Sequence, residues 1–318
     1  MPGRVLITGR GSIARRHAAQ VRELLPQAQL AVVARGPVDE ALRPCEVVAS
    51  FEEGLAWRPD AVVVASVSSR HAQELGAVLE AGLPCLVEKP LVTSRDQLAR
   101  LSAAPRSAPV QVGCNLRHLP VLRQVRELLH AGRLGRLARA SLEVGQDLAQ
   151  WRPSRELAAT YSADPRQGGG VVFDLVHEID MALWLLGPLG VVAAVGGHRS
   201  AMPVQSDDVH VALLRGADGL PATVALDYVA ARPVRRYQFV AERGTLVCDL
   251  MARRLVLADA SGERVLADRP EDFDVAATYR AQMADWLQAV ADPAHAVTCP
   301  LDESLTTAAL MLAMKEAA

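Results

Sequence analysis

An apolar run, Arg4-Val5-Leu6-Ile7-Thr8, passes directly into Gly9-Arg10-Gly11-Ser12-Ile13-Ala14 and then into a helical pattern reaching about residue 25. A strand that is apolar on successive residues suits the covered centre of a parallel sheet rather than a half-solvated antiparallel one. The G-x-G-x-x-A turn behind it narrows the choice further. Its first glycine makes the tight turn, its second lets a pyrophosphate approach the backbone, and Ala14 is small enough for close packing of helix on strand. Free N–H groups and the helix dipole would then face the phosphates. Alone, such a turn is also an ordinary connection. The segments that follow decide the matter. Apolar runs at 30–34, 61–66, Cys85–Val87 and 110–114 alternate with helical patterns such as 71–81, closed by Gly82. Strand and helix alternating at this spacing predict an α/β, doubly wound parallel sheet, a Rossmann domain over residues 1–118.

Two strand ends carry chemistry. The second strand ends Val33-Ala34-Arg35-Gly36, with no carboxylate where an acid would bind the adenosine ribose hydroxyls. Arg35 there meets a 2′-phosphate and favours NADP, unless it is one more solvated arginine. The fourth run ends Cys85-Leu86-Val87-Glu88-Lys89-Pro90, which sets an ammonium group at the carboxyl edge of the sheet, where ligands of open α/β sheets bind. The chain has only two lysines, Lys89 and Lys315, against 32 arginines. A lysine kept at a strand end suggests work that a guanidinium cannot do, because an ammonium is compact and can exchange its proton. Lys315 reads as a solvated residue of a C-terminal helix.

From residue 119 the pattern changes. A helix near 121–131 and a strand near 137–144 precede a loop rich in arginine and aromatics, Trp151 through Tyr161. Gly168-Gly169-Gly170 then opens what reads as one long helix to about residue 186. Short strands follow at 191–198, 209–215, 222–228, 237–241, 245–248 and 255–257, joined by hairpin turns at 217–219 and 242–244. Two helices close the chain, near 275–291 and 302–317. This second part, residues 119–318, reads as an α+β domain with a large, mostly antiparallel open sheet, and its last helix can pack back on the first domain. Residues 222–226 are apolar on both faces, so a second subunit is expected to cover the outer one. Within the glycine-led helix, Asp174 and His177 stand three apart and share a face, continued by Asp180. Polar groups this dense among Val, Phe and Leu are costly to bury unless paired or used. A histidine oriented by a carboxylate is an acid/base group near neutral pH, and a hydrogen-bonded structural cluster is the alternative. No metal is expected.

Composition excludes some classes. A net charge of −2 gives no general pull towards nucleic acid or a membrane surface. Cys45, Cys85, Cys114, Cys248 and Cys299 are odd in number with no C-x-x-C pair, which fits a reducing, cytoplasmic setting. The most apolar stretch, 171–195, is broken by Asp174, His177, Glu178 and Asp180 and is no membrane span.

Taken together, the segments at Gly11–His17, Ala65–His71, Glu80–Pro90, Gly113–Arg117 and Gly168–Asp180 resemble the family of glucose-fructose oxidoreductase, inositol dehydrogenase and their relatives. The likeness spans nearly the whole chain. It implies bound NADP or NAD and hydride exchange at a hydroxyl-bearing carbon of a sugar, sugar nucleotide or sugar acid. It implies a catalytic Lys89 between nicotinamide and substrate, a Lys89–Pro90 bond that is cis, and an acid/base His177 with Asp174 beside it. Relatives usually space that Asp four residues before the His, not three. Val67 stands where they often have proline. The implied cofactor contacts are Gly9, Gly11, Ser12, Ile13, Ala14, Arg35, Ser66, His71, Glu88, Lys89 and Pro90. Implied substrate contacts are Asn115, Arg117, Trp151, Arg152, Arg155, Tyr161, Asp174 and His177. The loop from Trp151 to Tyr161 resembles a branch linked to surface-polysaccharide and sialic-acid-like sugars, for which Arg117, Arg152, Arg155 and Arg235 suit an anionic substrate. The family's open sheet implies a homo-dimer or homo-tetramer. Two other readings stay open, a non-catalytic regulator that senses NAD(P) or a sugar, and a reductase of a non-sugar carbonyl or alkene.

Overall fold

The computed structural model describes residues 1–151 and 156–318. The chain divides into two compact units, Met1–Asn115 with Ala276–Ala308, and Leu116–Val275 with Ala309–Ala318.

The first unit holds six strands, β1 (Arg4–Thr8), β2 (Gln29–Val33), β3 (Glu46–Val48), β4 (Ala61–Val64), β5 (Cys85–Val87) and β6 (Val110–Val112). They lie in the order β3-β2-β1-β4-β5-β6, and every pairing is parallel. This is the doubly wound order, with the reversal between β1 and β4 where such sheets bind ligands. Helices α1 (Ser12–Leu24), α2 (Phe51–Ala56), α3 (Ser68–Glu80) and α4 (Arg95–Ser102) make the crossovers. Helix α1 turns Ala14, Ala18 and Val21 onto Val5, Ile7, Val32 and Val63. The same core takes Met283, Trp286 and Leu287 from the helix Val275–Ala291. The short strand β3 is absent from the sequence reading, since two of its three residues are exposed.

The second unit contains α5 (Pro120–His130), β7 (Leu137–Gly145), α6 (Leu148–Trp151), α7 (Val171–Asp174), α8 (Val176–Leu186) and strands β8 (Leu189–Gly197), β9 (Val209–Gly216), β10 (Pro221–Asp227), β11 (Val234–Ala241), β12 (Gly244–Asp249), β13 (Arg254–Asp259) and β14 (Gly262–Ala267). The eight strands run β14-β13-β12-β11-β7-β10-β9-β8. All pairs are antiparallel except β10 on β7. Strict alternation on β9 buries His210, Ala212 and Leu214 and exposes Val211 and Leu213, so one face is core and the other is open. The outer face of β10 carries Thr223 and the half-buried Ala225, and is less apolar than residues 222–226 suggested.

The expected single helix over 171–186 is two. Leu175 leaves the helical region at φ −100°, ψ 28°, separating α7 from α8, so Asp174 and His177 do not share one continuous helix face. Among the described residues, no helix is long and apolar enough to cross a membrane.

Trp286 is fully buried in the core of the first unit. Trp286→Ala is expected to lower stability by about 3–5 kcal/mol in urea unfolding. A loss below about 0.5 kcal/mol would be that of a surface residue.

Candidate active site

The register of the parallel sheet positions the candidate residues of the first unit. Thr8 lies level with Val33 on one side and Val64 on the other. Its buried Oγ1 accepts a hydrogen bond from the Ala65 N–H at 3.1 Å, which ties the turn after β1 to the turn after β4. Gly9 follows with φ +86°, and a Cβ there would sit 2.5 Å from the Ala65 carbonyl oxygen, so only glycine passes. At Gly11, by contrast, a Cβ would meet nothing within 4 Å. Gly11 caps α1 without a side-chain hydrogen bond, and Ser12 and Ile13 open the helix above a fully buried Ala14. An open approach to uncapped helical N–H groups fits a dinucleotide pyrophosphate. Arg35 is exposed just past the end of β2.

Lys89 leaves the end of β5 half-buried, with fixed neighbours on both sides. Before it, buried Glu88 accepts from or shares a proton with His17 Nε2 at 2.8 Å, and Glu88 Oε2 takes the Lys89 backbone N–H at 3.3 Å. The carboxylate fills the space beside Gly113, where a Cβ would come within 2.8 Å of it. Burial opposes ionisation of Glu88. The hydrogen bond and charge of His17, with Lys89 and His71, outweigh that and hold its pKa below the usual carboxylate range. After Lys89, the bond to Pro90 is cis. The Pro90 carbonyl lies 2.9 Å from His71 Nδ1, and the Ser66 carbonyl lies 3.0 Å from His71 Nε2. Carbonyls only accept, so both contacts call for N–H donors on this buried ring. Ser66 Oγ in turn donates to Glu74 at 2.9 Å. The structure therefore sets His71 behind the site as a brace between the β4 and β5 turns.

In the second unit, Asp174 is buried and Oδ2 accepts from Ser162 Oγ at 2.6 Å and Tyr228 OH at 2.7 Å. Burial and the adjacent Asp174 charge push the Tyr228 hydroxyl well above its ordinary pKa, so it remains a donor. His177 is half-buried in the first turn of α8. Glu178 is fully buried, and its Oε1 takes Arg235 Nε at 2.6 Å and Tyr237 OH at 2.7 Å. Asp180 receives Arg117 through two bonds, 2.9 Å from Nε and 2.7 Å from Nη2. Arg117 and Arg235 are thus joined to internal carboxylates. Asn115, in the first unit, is buried and donates to Thr278 Oγ1 at 2.6 Å. Trp151 is 38% exposed, its ring centroid 6.4 Å from that of Tyr228. Tyr161 is half-buried, whereas Arg152 and Arg155 lie outside the described residues.

Lys315 corrects the sequence reading. It is not merely solvated: Nζ donates to Asp207 at 2.5 Å and lies 5.0 Å from the Phe173 ring centroid. Asp207 also accepts the Val171 N–H through its backbone oxygen at 2.9 Å, and so holds the start of α7.

Sequence reasoning missed His17, Ser162, Glu178 and Tyr228 as parts of these networks. His17 had a signal, since it falls on the buried stripe of α1 with Ala14, Ala18 and Val21. Ser162 and Tyr228 had none, because their partner Asp174 is distant in sequence from Tyr228.

Two family models match the chain. Residues 3–116 match the oxidoreductase family with an NAD-binding Rossmann fold, and residues 122–247 match the GFO/IDH/MocA C-terminal domain. Inositol 2-dehydrogenase 4 of Saccharopolyspora erythraea is 29% identical over 236 residues, 70% of this chain and 66% of that protein. Rhizopine catabolism protein MocA of Rhizobium meliloti is 32% identical over 180 residues, 54% of this chain and 53% of that one. The chain thus spans only 66% and 53% of the length of these two curated relatives. A levoglucosan dehydrogenase solved with NADH has the same fold, with TM-score 0.85 and 20% identity over 99% of this chain and 96% of that one.

The lowered pKa of Glu88 fixes a pH dependence. Its ionised form adds stability above the ordinary glutamate value of about 4.3, and that contribution is lost as pH falls through the depressed folded value. Glu88→Gln should flatten this acid limb of a plot of melting temperature against pH. An unchanged acid limb would show that the Glu88–His17 pair carries no such linkage.

Proposed function

The chain belongs to the GFO/IDH/MocA oxidoreductase family, and from that footing we propose that it is an NAD(P)-dependent dehydrogenase or reductase. Its substrate would be a sugar, sugar nucleotide or sugar acid, reacting at a hydroxyl-bearing carbon. One observation carries the reading. Lys89 stands at the carboxyl end of β5 with Glu88 anchored by His17 before it and Pro90 anchored by His71 after it. A backbone held on both sides fixes where the Lys89 side chain leaves the sheet, which supports a pre-organised group for stabilising a developing charge.

When bound, the nicotinamide would take up or return the hydride. Lys89 binds the substrate oxygen and stabilises its negative charge as the C–H bond breaks. His177 accepts the hydroxyl proton in oxidation and gives it back in reduction. Asp174, fixed by Ser162 and Tyr228, supports the backbone at the break before α8. Trp151 and Tyr161 supply aromatic surface for a sugar ring, and Arg152 and Arg155 suit an anionic group on it. The name of the inositol 2-dehydrogenase relative supports a polyhydroxylated substrate. Arg35 in place of an acid favours NADP over NAD. Five cysteines, all buried and none in a disulfide, support a reducing, cytoplasmic setting.

The outer face of the larger sheet supports self-association. Val195 lies across from Val211, and Ala193 across from Leu213, in register on adjacent strands. Val195 is 65% exposed, an apolar row of the kind that a second copy covers.

Lys89→Ala should reduce kcat by about a hundredfold or more while dinucleotide binding is kept. Near-normal turnover of an accepted sugar would rule the mechanism out. In sedimentation, the wild type should run as a dimer or tetramer and the double variant Val195→Glu, Val211→Glu as a monomer. A monomeric wild type would refute the proposed interface.

A further inference from the structure

Ser162 and Tyr228, the two donors to Asp174 Oδ2, both rest on one short segment, residues 205–208. Ser206 Oγ donates to the Ser162 carbonyl at 2.6 Å, and the Gln205 N–H donates to the Ala163 carbonyl at 2.9 Å. The Asp208 carbonyl accepts the Tyr228 N–H at 2.9 Å. Asp207 takes the start of α7 itself. Its carbonyl accepts the Val171 N–H at 2.9 Å, and its Oδ2 accepts the Val172 N–H at 3.4 Å. Gly170, at φ +122°, leaves room for that carboxylate, since a Cβ there would collide with Asp207 Oδ1. Asp208 turns its own carboxylate the other way, onto the Arg199 and Ser200 N–H groups at 2.7 and 3.0 Å.

Lys315 closes the arrangement from the far end of the chain. It stands in the last turn of the helix Leu301–Glu316. Its ammonium donates to Asp207 Oδ1 at 2.5 Å and lies 5.0 Å from the ring centroid of Phe173, the residue before Asp174. One charge therefore bears on the acid at the head of α7 and on the α7 ring beside Asp174. In a chain with two lysines and 32 arginines, the compact ammonium is used where it faces an acid and an aromatic ring together. Helix α7 has four residues, too few to keep its place by its own hydrogen bonds. Its position is set from outside, and the side chain of Asp207, 10% exposed, is where that hold is strongest.

We propose that Lys315 is a positioning residue for the reaction. Its pair with Asp207 fixes the 205–208 segment and α7 together, and so sets where Asp174 stands and how the chain enters the turn of α8 that carries His177. Lys315 acts through Asp207 and not on the substrate. This rests on the dehydrogenase reading above and extends it to a residue at the end of the chain.

The test is steady-state kinetics and thermal melting of the full chain. Inositol, glucose, glucuronic acid and UDP-glucuronic acid are each offered with NAD+ and NADP+, and the best substrate carries the comparison. Lys315→Met should lower kcat about tenfold with KM held within about threefold, the mark of an interaction that serves the reacting state. Lys315→Arg, which keeps a cation on Asp207, should stay within about threefold of the wild-type kcat. Lys315→Met also leaves Asp207 as an unpaired, mostly buried charge, which by itself can unfold a protein. The double variant Lys315→Met, Asp207→Asn removes that charge, so it should melt close to the wild type and still show the tenfold loss of about the same size. Wild-type kcat in the double variant overturns the proposal, and so does a Lys315→Arg variant no better than Lys315→Met. A change confined to melting temperature overturns it too, since that marks a merely structural pair. Should the wild type oxidise none of the four compounds, the dehydrogenase reading falls and the role of Lys315 with it.

Discussion

The register of the six-stranded sheet is the constraint on which the first unit depends. Thr8, Val33, Val64, Val87 and Val112 stand level across five parallel strands. The residues that follow them, Gly9, Ala34, Ala65, Glu88 and Gly113, therefore leave along one edge. The glycine turn, Arg35 after β2, Ser66 and Lys89 lie along one edge because the strands end together. A slip of one residue would turn each strand's side chains to the opposite face, and burial on both faces of the apolar strands makes such a slip costly.

In the second unit, ion pairs act beside the apolar packing that buries Val171, Val172, Phe173, Ile179 and Leu185 on the helical pair that carries Asp174 and His177. Asp180 holds Arg117, Glu178 holds Arg235, and Asp207 ties Lys315 to the start of α7. Pairs like these add little net stability, since desolvation offsets their attraction, but removing one partner leaves a buried charge exposed to its full cost. What they supply is a fixed position. Each reaches α7 or α8 from a different stretch of chain, namely residues 117, 235 and 315.

That pattern also explains what the sequence could and could not disclose. Strands β1 and β4 were legible because each is an unbroken apolar run beside a turn signal, and the G-x-G-x-x-A turn follows from glycine chemistry at Gly9. Strand β3 was not legible, because a three-residue edge strand with Glu46 and Val47 exposed has no pattern to read. The need for partners at Asp174 and Asp180 was visible from their density among apolar residues. The identity of those partners was not, because Tyr228 and Arg117 lie more than fifty residues away. Abundance of arginine concealed the most, since it made the paired, buried Arg117 and half-buried Arg235 look the same as surface residues.

The first unit is not contiguous in sequence. Its core places Trp286 and Met283 against strands that begin at Arg4, with residues 116–275 belonging to the other unit in between. A nascent chain that has delivered all six parallel strands still lacks the side chains that seal one side of them. Closing so long a loop costs only a logarithmic entropy increment, yet such non-local contacts form late. During synthesis, the dinucleotide half therefore waits, partly uncovered, for the intervening domain to be made, and a chaperone that shields apolar sheet surface has its longest opportunity in that interval.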